Sequence, residues 1–151
     1  KKVNEGIKYR HIICGTGREK NNLIRQARDL GIFDNVFFAG YIDDIYKWIR
    51  SSKVFVLTSR WEGCPNVLLE ALACNTPIVS TDCPYGPREL LQNGKWGKIV
   101  KVDCIDEIAN AIINSINKPK KNIAELQDFL ILNYSYKIIF KKYERIIFER
   151  Y

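Results

Sequence analysis

The chain alternates short apolar runs with longer segments in which apolar residues recur every three or four positions. The short runs predict five strands, at residues 9–14, 36–39, 53–58, 76–80 and 96–102. Glycine, proline or aspartate stands at most of the boundaries, where each is expected to end one element or begin the next. The periodic segments predict helices at residues 18–30, 65–74, 86–91, 105–116, 122–132 and 136–150, and one more that begins at Asp43 or Asp44.

This alternation of strand and helix predicts the fold class. The strands are apolar along most of their length, as expected for strands that are covered on both faces. We therefore predict an α/β protein with a Rossmann-like parallel sheet of about five strands, flanked by helices. No linker or internal repeat interrupts the pattern, so residues 1–151 are expected to form one domain that ends in a helix over residues 135–151.

Composition indicates the cellular compartment in which the protein works. Methionine is absent, even at position 1, which leads us to expect that the sequence begins inside a longer protein. The five cysteines form no CxxC pair, which is typical of a reducing compartment. No apolar stretch approaches the roughly 18 residues of a membrane span, and no signal peptide is visible. We therefore predict a cytoplasmic protein.

The charge balance limits the choice of partner. A formal net charge of +7 favours anionic partners such as nucleotide diphosphates or an anionic membrane. Nucleic acid is not expected, because the basic residues do not form a stripe interleaved with aromatic residues. The last predicted helix suits peripheral contact with the inner face of the plasma membrane, or contact with the rest of a longer protein. It carries basic Lys141, Lys142 and Arg145 away from an apolar face of Ile139, Tyr143, Ile146 and Ile147.

The candidate chemistry lies where the predicted strands end, since open α/β sheets bind their ligands beyond the carboxyl ends of the strands. Gly15 and Gly17 follow the first strand, and together they resemble the start of a dinucleotide fingerprint. Lys20 stands in the place of the third glycine of that fingerprint, so an NAD site is not expected. The other strand-end segments are Gly40-Tyr41, Ser59 to Asn66, and Asp82 to Glu89.

The segment from Ser59 to Asn66 is the most informative of the four. Glu62 lies just before a helix whose first turn is predicted to hold Pro65, Asn66 and Val67, and Glu70 falls in the second turn. Free N–H groups of a first helical turn bind anions, and helical side chains lean back toward that end. Ionised carboxylates only accept hydrogen bonds, so their natural partners are hydroxyl groups. A diphosphate on the helix with hydroxyls on the carboxylates describes a nucleotide sugar.

These residues also resemble a known family. Glu62 and Glu70, with seven residues between them, are similar to the E-x7-E motif of the group 1 (family 4) glycosyltransferases, which have the GT-B fold. The resemblance covers residues 8–117 and implies that the chain is the C-terminal, donor-binding domain of a two-domain enzyme. Flanking segments agree in the same order: ICGTG at 13–17, VFFAGY at 36–41, LTSRWEG at 57–63 and GPRELLQNGKWGKIV at 86–100.

The resemblance implies a function and a role for each site residue. The function is retaining, metal-independent transfer from a nucleotide-diphosphate sugar, expected to be a UDP-sugar, to a glycan or lipid-linked acceptor in bacterial capsule or lipopolysaccharide synthesis, with no cofactor. Glu62 would be catalytic and contact the donor sugar, Glu70 would hold the ribose, and Gly40 with Tyr41 would lie along the base. Arg60 would either orient the loop or contact the donor phosphate. The donor sugar and diphosphate would be bound by backbone groups of Gly63, Cys64, Pro65, Asn66 and Val67.

Two parts that the resemblance implies are not in this sequence. One is an Arg…Lys pair that neutralises the diphosphate, which is expected before Lys1, and the other is the N-terminal acceptor domain. We therefore expect the 151-residue chain to be inactive by itself. Asn75 stands where the family usually has glycine, and it is expected to accept the left-handed conformation of a helix end.

Other interpretations remain open from the residues alone. Glu62 and Glu70 are solvated charges in the simplest alternative, and His11 is expected to be structural because it lies within a strand. The segment from Pro84 to Glu89 is either a rigid structural turn or a contact with a sugar. A GT-B-type nucleotide-sugar epimerase is one alternative function, although it needs more acid and base groups. A non-catalytic nucleotide-binding domain is another.

Overall fold

A computed structural model describes residues 9–119 and 121–148. The structure confirms the α/β class and the five predicted strands. The end of the last predicted helix, including Arg150, lies outside the described residues. The elements are β1 (His11–Cys14), α1 (Lys20–Asp29), β2 (Val36–Gly40), α2 (Ile45–Ser51), β3 (Phe55–Leu57), α3 (Asn66–Ala73), β4 (Ile78–Thr81), α4 (Pro87–Leu90), β5 (Lys98–Val100), α5 (Ile105–Ile116), α6 (Ile123–Tyr134) and α7 (Tyr136–Phe148), with 3-10 turns at Phe33–Asn35 and Gln92–Gly94.

The strands pair as two sheets within two compact units. In the unit Lys1–Ile45, β1 and β2 form a two-stranded parallel sheet. In the unit Tyr46–Tyr151, β3, β4 and β5 form a three-stranded parallel sheet with β4 at the centre. The apolar runs predict that these strands exist, but a run of apolar residues carries no information about which strand lies beside it.

Several element ends differ from the sequence prediction, among them those at Pro65 and Trp96. Pro65 is the residue that caps α3 rather than a member of its first turn, with φ −72° and ψ 89°. Trp96 precedes β5, where its buried indole N–H donates to Gln92 Oε1 at 2.9 Å. Asn75 follows α3 with φ 50°, which confirms the predicted left-handed conformation at the end of this helix.

The apolar core of the second unit surrounds its sheet. Both α3 and α5 pack against the central strand β4, all of whose residues are buried. One cluster joins Val79 of β4, Val100 of β5 and Ala111 of α5. Within this core, β3 and β4 are paired in parallel from Phe55 to Leu57, so their carboxyl ends lie side by side.

The two C-terminal helices differ in how far they pack. Phe129 of α6 stacks on Trp96 with the ring centroids 5.6 Å apart, and its ring meets Tyr134 edge-on at 5.7 Å. No described residue of α7 is buried, and the apolar residues Tyr143, Ile146 and Ile147 are exposed. Among the described residues, no helix combines the length and apolar character that crossing a membrane requires.

Candidate functional site

A chain of hydrogen bonds positions Glu62 at the end of β3. The buried hydroxyl of Thr81, the last residue of β4, donates to the backbone oxygen of Ser59 at 2.6 Å. The Ser59 hydroxyl in turn donates to Glu62 Oε1 at 2.6 Å. The sheet therefore fixes the Ser59 backbone, and Ser59 orients the half-buried carboxylate of Glu62. Sequence reasoning placed Ser59 in a candidate segment without giving it a role and missed Thr81, since a hydroxyl residue at a strand end does not reveal its partner.

The loop that carries Glu62 is locked to the loop that follows β4. The Glu62 backbone N–H donates to the Pro84 carbonyl at 3.4 Å. Gly86, with φ +92°, lies so close that a Cβ there would overlap Pro65 Cδ and stand 3.3 Å from the Gly63 oxygen. Only glycine satisfies both the backbone conformation and the lack of space. The structure thus joins two strand-end segments that the sequence presents separately.

The first turn of α3 leaves its backbone accessible. The buried Pro65 carbonyl accepts from Leu68 N at 2.9 Å, and no side chain of the described residues caps the helix. Gly63, Cys64, Asn66 and Val67 are exposed around this helix end. Uncapped N–H groups of a first helical turn, together with the helix dipole, favour an anion at this position.

Glu70 lies in the second turn of α3, as predicted. It is half-buried, and among the described residues none donates a hydrogen bond to its carboxylate. A carboxylate that is partly removed from water gains from new donors. The geometry therefore leaves Glu70 ready to accept hydroxyl groups, whereas one oxygen of Glu62 is already held by Ser59.

The glycine segments of the first unit also come together. Gly15 N donates to the Gly40 carbonyl at 2.6 Å, directly after a register shift in which β2 holds one more residue than β1. The Gly17 carbonyl accepts from Lys20 N at 3.2 Å and so begins α1. Tyr41 follows Gly40 with its side chain 76% exposed. This unit therefore presents glycine backbone and an accessible aromatic ring at its strand ends.

Arg60, in the loop of Glu62, and Arg88, in α4, are both paired with carboxylates. Arg60 Nε donates to Asp103 Oδ1 at 3.0 Å, in a pair that is mostly exposed. Arg88 binds both carboxylate oxygens of Asp82, and this hydrogen bonding raises the pKa of its guanidinium. Of the two roles considered for Arg60, this geometry supports orientation of the loop, since its charge is balanced by Asp103.

Nearby negative charges, together with burial, shift the pKa values of Cys83 and Tyr134. Burial raises the pKa of the Cys83 thiol, and the Glu62 carboxylate raises it further. Burial likewise raises the pKa of Tyr134, followed by the charges of Glu89 and Cys64. His11 lies in β1, in the other unit, and burial lowers its pKa, which favours the neutral imidazole expected of a structural residue.

The family of the chain follows from comparison with known proteins. Residues 1–127 match the family model described as glycosyl transferases group 1. The chain is 36% identical over 115 residues to the lipopolysaccharide core biosynthesis glycosyltransferase LpsE of Rhizobium meliloti. It is also 44% identical over 80 residues to an uncharacterized glycosyltransferase of Methanocaldococcus jannaschii. The match to LpsE covers 75% of this chain and 34% of LpsE. The match to the Methanocaldococcus jannaschii protein covers 53% of this chain and 20% of that protein. The chain therefore spans about a third or less of the length of these relatives.

Solved structures agree with the family match. A Staphylococcus aureus TarM variant, in complex with fondaparinux, α-GlcNAc-glycerol and UDP, superposes with a TM-score of 0.78 at 26% identity. That match covers 89% of this chain and 28% of TarM. The lipopolysaccharide outer core galactosyltransferase WaaB superposes with a TM-score of 0.75 at 25% identity, over 94% of this chain and 41% of WaaB. The chain belongs to the group 1 glycosyltransferases, and its fold is that of their GT-B structures.

Proposed function

We propose that this chain binds a nucleotide-diphosphate sugar, a UDP-sugar, as the donor domain of a retaining glycosyltransferase. The enzyme would transfer a hexosyl or N-acetylhexosaminyl group to a glycan or lipid-linked acceptor in bacterial surface polysaccharide synthesis. The observation that carries the proposal is the arrangement around α3: an oriented carboxylate at Glu62, an uncapped helix end, and a half-buried Glu70 that no described residue engages.

The chemistry of each part matches a different part of such a donor. The α3 terminus suits the diphosphate, since its N–H groups and dipole favour negative charge. Glu70 suits the ribose hydroxyls and Glu62 suits the hexose, because ionised carboxylates accept hydrogen bonds from hydroxyl groups. The charge of Glu62 would also stabilise the positive charge that develops at the anomeric carbon during transfer.

Two further observations support this assignment. The TarM structure, to which the chain is 26% identical, contains UDP. In the first unit, the Tyr41 side chain is 76% exposed, and an accessible aromatic ring suits stacking with a nucleobase. No step of the proposed transfer uses a metal ion or a cofactor.

The decisive experiment separates the two glutamates. Glu70→Gln should weaken binding of UDP and of UDP-sugar alike, because its proposed partner is the ribose that both contain. Glu62→Gln should leave UDP affinity nearly unchanged but lower turnover strongly. Each loss is expected to correspond to about 1.5–3 kcal/mol, the range for hydrogen bonds to a charged group. Calorimetry on the 151-residue chain measures binding, and kinetics on the longer enzyme that the proposal implies measure turnover.

Glu144→Gln provides the matched control, since it makes the same change at an exposed glutamate that lies on α7 rather than on α3 or the loop before it. It should change neither UDP binding nor turnover. If both glutamate variants behave like the parent, the carboxylates are solvated charges and the proposal is wrong. Exchanged phenotypes would keep the site and reverse the assigned orientation of the ligand.

The 151-residue chain alone should bind UDP weakly and transfer no sugar. Arg60 and Arg88 are already engaged by carboxylates, so neither is free to neutralise the diphosphate. Orientation of an acceptor contributes roughly 7–11 kcal/mol to such reactions, and we assign it to a second domain. Calorimetry should find no affinity tighter than the high micromolar range, and labelled UDP-sugars should give no product. Nanomolar UDP binding would contradict the expected lack of a cation for the diphosphate, and sustained turnover would contradict the assignment of acceptor orientation to a second domain.

A further inference from the structure

Tyr85 adopts a backbone conformation that its side chain disfavours. Its φ is +60°, in the left-handed region, and its side chain is 81% exposed. A bulky residue in this region is strained, and such strain concentrates at functional sites. The ring gains little from burial here. The surrounding loop nevertheless holds it in place, since Pro84 is bonded to Glu62 and Gly86 packs against Pro65.

Tyr85 borders an open groove of about 540 Å³. The polar groups along the groove include the exposed carboxylate of Glu89 and the side-chain amide of Asn93. Gln92 also lines it, although its carbonyl oxygen is engaged by the Trp96 indole. The groove therefore combines one accessible aromatic ring with hydrogen-bond acceptors and donors.

The charges of the groove disfavour an anionic ligand. Arg88 lines it, but both of its bonded nitrogens are turned to Asp82. Glu89 adds a negative charge that no described residue pairs with in a salt bridge. A phosphate would meet this carboxylate without a compensating cation. A neutral saccharide fits better, because its C–H face stacks on an aromatic ring and its hydroxyls donate to carboxylates.

The groove lies beside the donor site and is separate from it. Gly86 packs against Pro65 and Gly63, so the groove is next to the loop that carries Glu62. None of its lining residues belongs to that loop or to α3. A pyranose in the groove would therefore lie next to the proposed donor sugar rather than in its place.

We propose that this groove binds one pyranose unit of the acceptor, with Tyr85 as the stacking residue and Glu89 as the hydroxyl acceptor. The inference rests on the proposed function, because "acceptor" has meaning only if the neighbouring site holds the donor. It adds a saccharide contact within this chain to the acceptor contacts assigned to the second domain.

The test measures binding of simple glycosides to the 151-residue chain in the presence of UDP. The probes are methyl α-glucopyranoside, methyl α-galactopyranoside and methyl N-acetyl-α-glucosaminide at millimolar concentration, followed by saturation-transfer NMR. At least one should bind the parent chain. Tyr85→Phe should retain that affinity within about twofold, and Tyr85→Gly should lose about three- to tenfold, the range for an aromatic contact.

Two readouts separate binding from a structural role. Tyr85→Gly relieves the left-handed strain, so its melting temperature should be at or above that of the parent, with unchanged UDP affinity. Tyr143→Ala removes a ring that is 62% exposed on α7 and should leave glycoside binding unchanged. A marked fall in melting temperature for Tyr85→Gly would show that the ring packs structurally and would overturn the proposal.

The remaining outcomes distinguish this inference from the proposed function. If UDP binds and no glycoside binds, the groove is not a saccharide site and the donor proposal stands. If a glycoside binds through Tyr85 and UDP does not bind, the proposed donor function fails instead. Displacement of the glycoside by a UDP-sugar, but not by UDP, would show that the groove holds the donor sugar and would overturn its assignment to the acceptor.

Discussion

The two compact units connect their strand ends by different means. In the unit Lys1–Ile45, a backbone hydrogen bond runs from Gly15 N to Gly40 O. In the unit Tyr46–Tyr151, side chains make the connection from Thr81 through Ser59 to Glu62. The first arrangement is a backbone hydrogen bond, and the second orients a carboxylate. Side chains can therefore place a charged group at a strand end, which a backbone contact cannot do.

The units also differ in burial. Among the described residues, Ala27 is the one buried apolar residue of the first unit, whereas every other buried apolar residue lies in the second. Burial of apolar surface is the main source of folding stability. We therefore expect the second unit to supply most of the stability and the first unit to open more readily.

Core truncation should show the largest difference between the units. Leu72→Ala removes a side chain that is 2% exposed in α3 and should destabilise the protein by about 2–5 kcal/mol. Leu23→Ala in α1, where the side chain is 40% exposed, should cost less than about 1 kcal/mol. Urea denaturation combined with hydrogen exchange measures both. Equal losses would mean that the first unit is packed as firmly as the second.

Glycine substitution tests the two strand-end arrangements directly. Gly86→Ala introduces a Cβ that overlaps Pro65 in a backbone with φ +92°. Gly40→Ala meets the same kind of backbone, with φ +72°, but no heavy atom of the described residues lies within 4 Å of the new Cβ. Gly86→Ala should therefore cost about 1–3 kcal/mol more, the usual penalty for overpacking.

Thermal denaturation of the two alanine variants, with UDP binding as a second measurement, checks this difference. Both variants share the strain of an L-residue in the left-handed region, so Gly40→Ala is the control for strain alone. Similar melting temperatures would show that the Gly86 loop moves away from Pro65 without cost and that the two loops are not locked.

Thiol labelling should give the smallest effect. Exposed Cys64 should react with iodoacetamide faster than Cys83, which is buried and whose pKa is raised first by burial and then by Glu62. A raised pKa leaves less thiolate at pH 8, so the Cys83 rate should still be rising above the pH at which an ordinary thiol levels off. Glu62→Gln should lower the pKa of Cys83 and speed its labelling. An unchanged rate would place the Glu62 charge away from Cys83.

Sequence patterns identified most elements of the fold, with errors at their ends. The helix α5 has the predicted bounds, Ile105–Ile116, because its amphipathic period is regular and Asn117 follows it. The strand β3 is shorter than predicted, since only Phe55–Leu57 pair with β4. Hydrophobic runs show where a strand is possible, and hydrogen bonding to a neighbour decides how much of the run becomes one.

The local arrangement around Glu62 and Glu70 follows from the sequence alone. Their spacing, with Pro65 between them, is enough to place one carboxylate before a helix and the other in its second turn. This is possible because helix geometry and proline preference act over a few neighbouring residues. Whether either glutamate binds a donor stays a prediction that the proposed substitutions test.

Only the tertiary structure decided which distant residues meet at this site. Thr81 reaches Ser59 because β4 lies beside β3, and Gly86 fits against Pro65 because the loops after those strands converge. The same is true of the groove beside Tyr85, whose left-handed backbone no residue preference predicts for tyrosine. Local patterns encode backbone periodicity, whereas contacts between distant segments depend on how whole elements pack around a shared core.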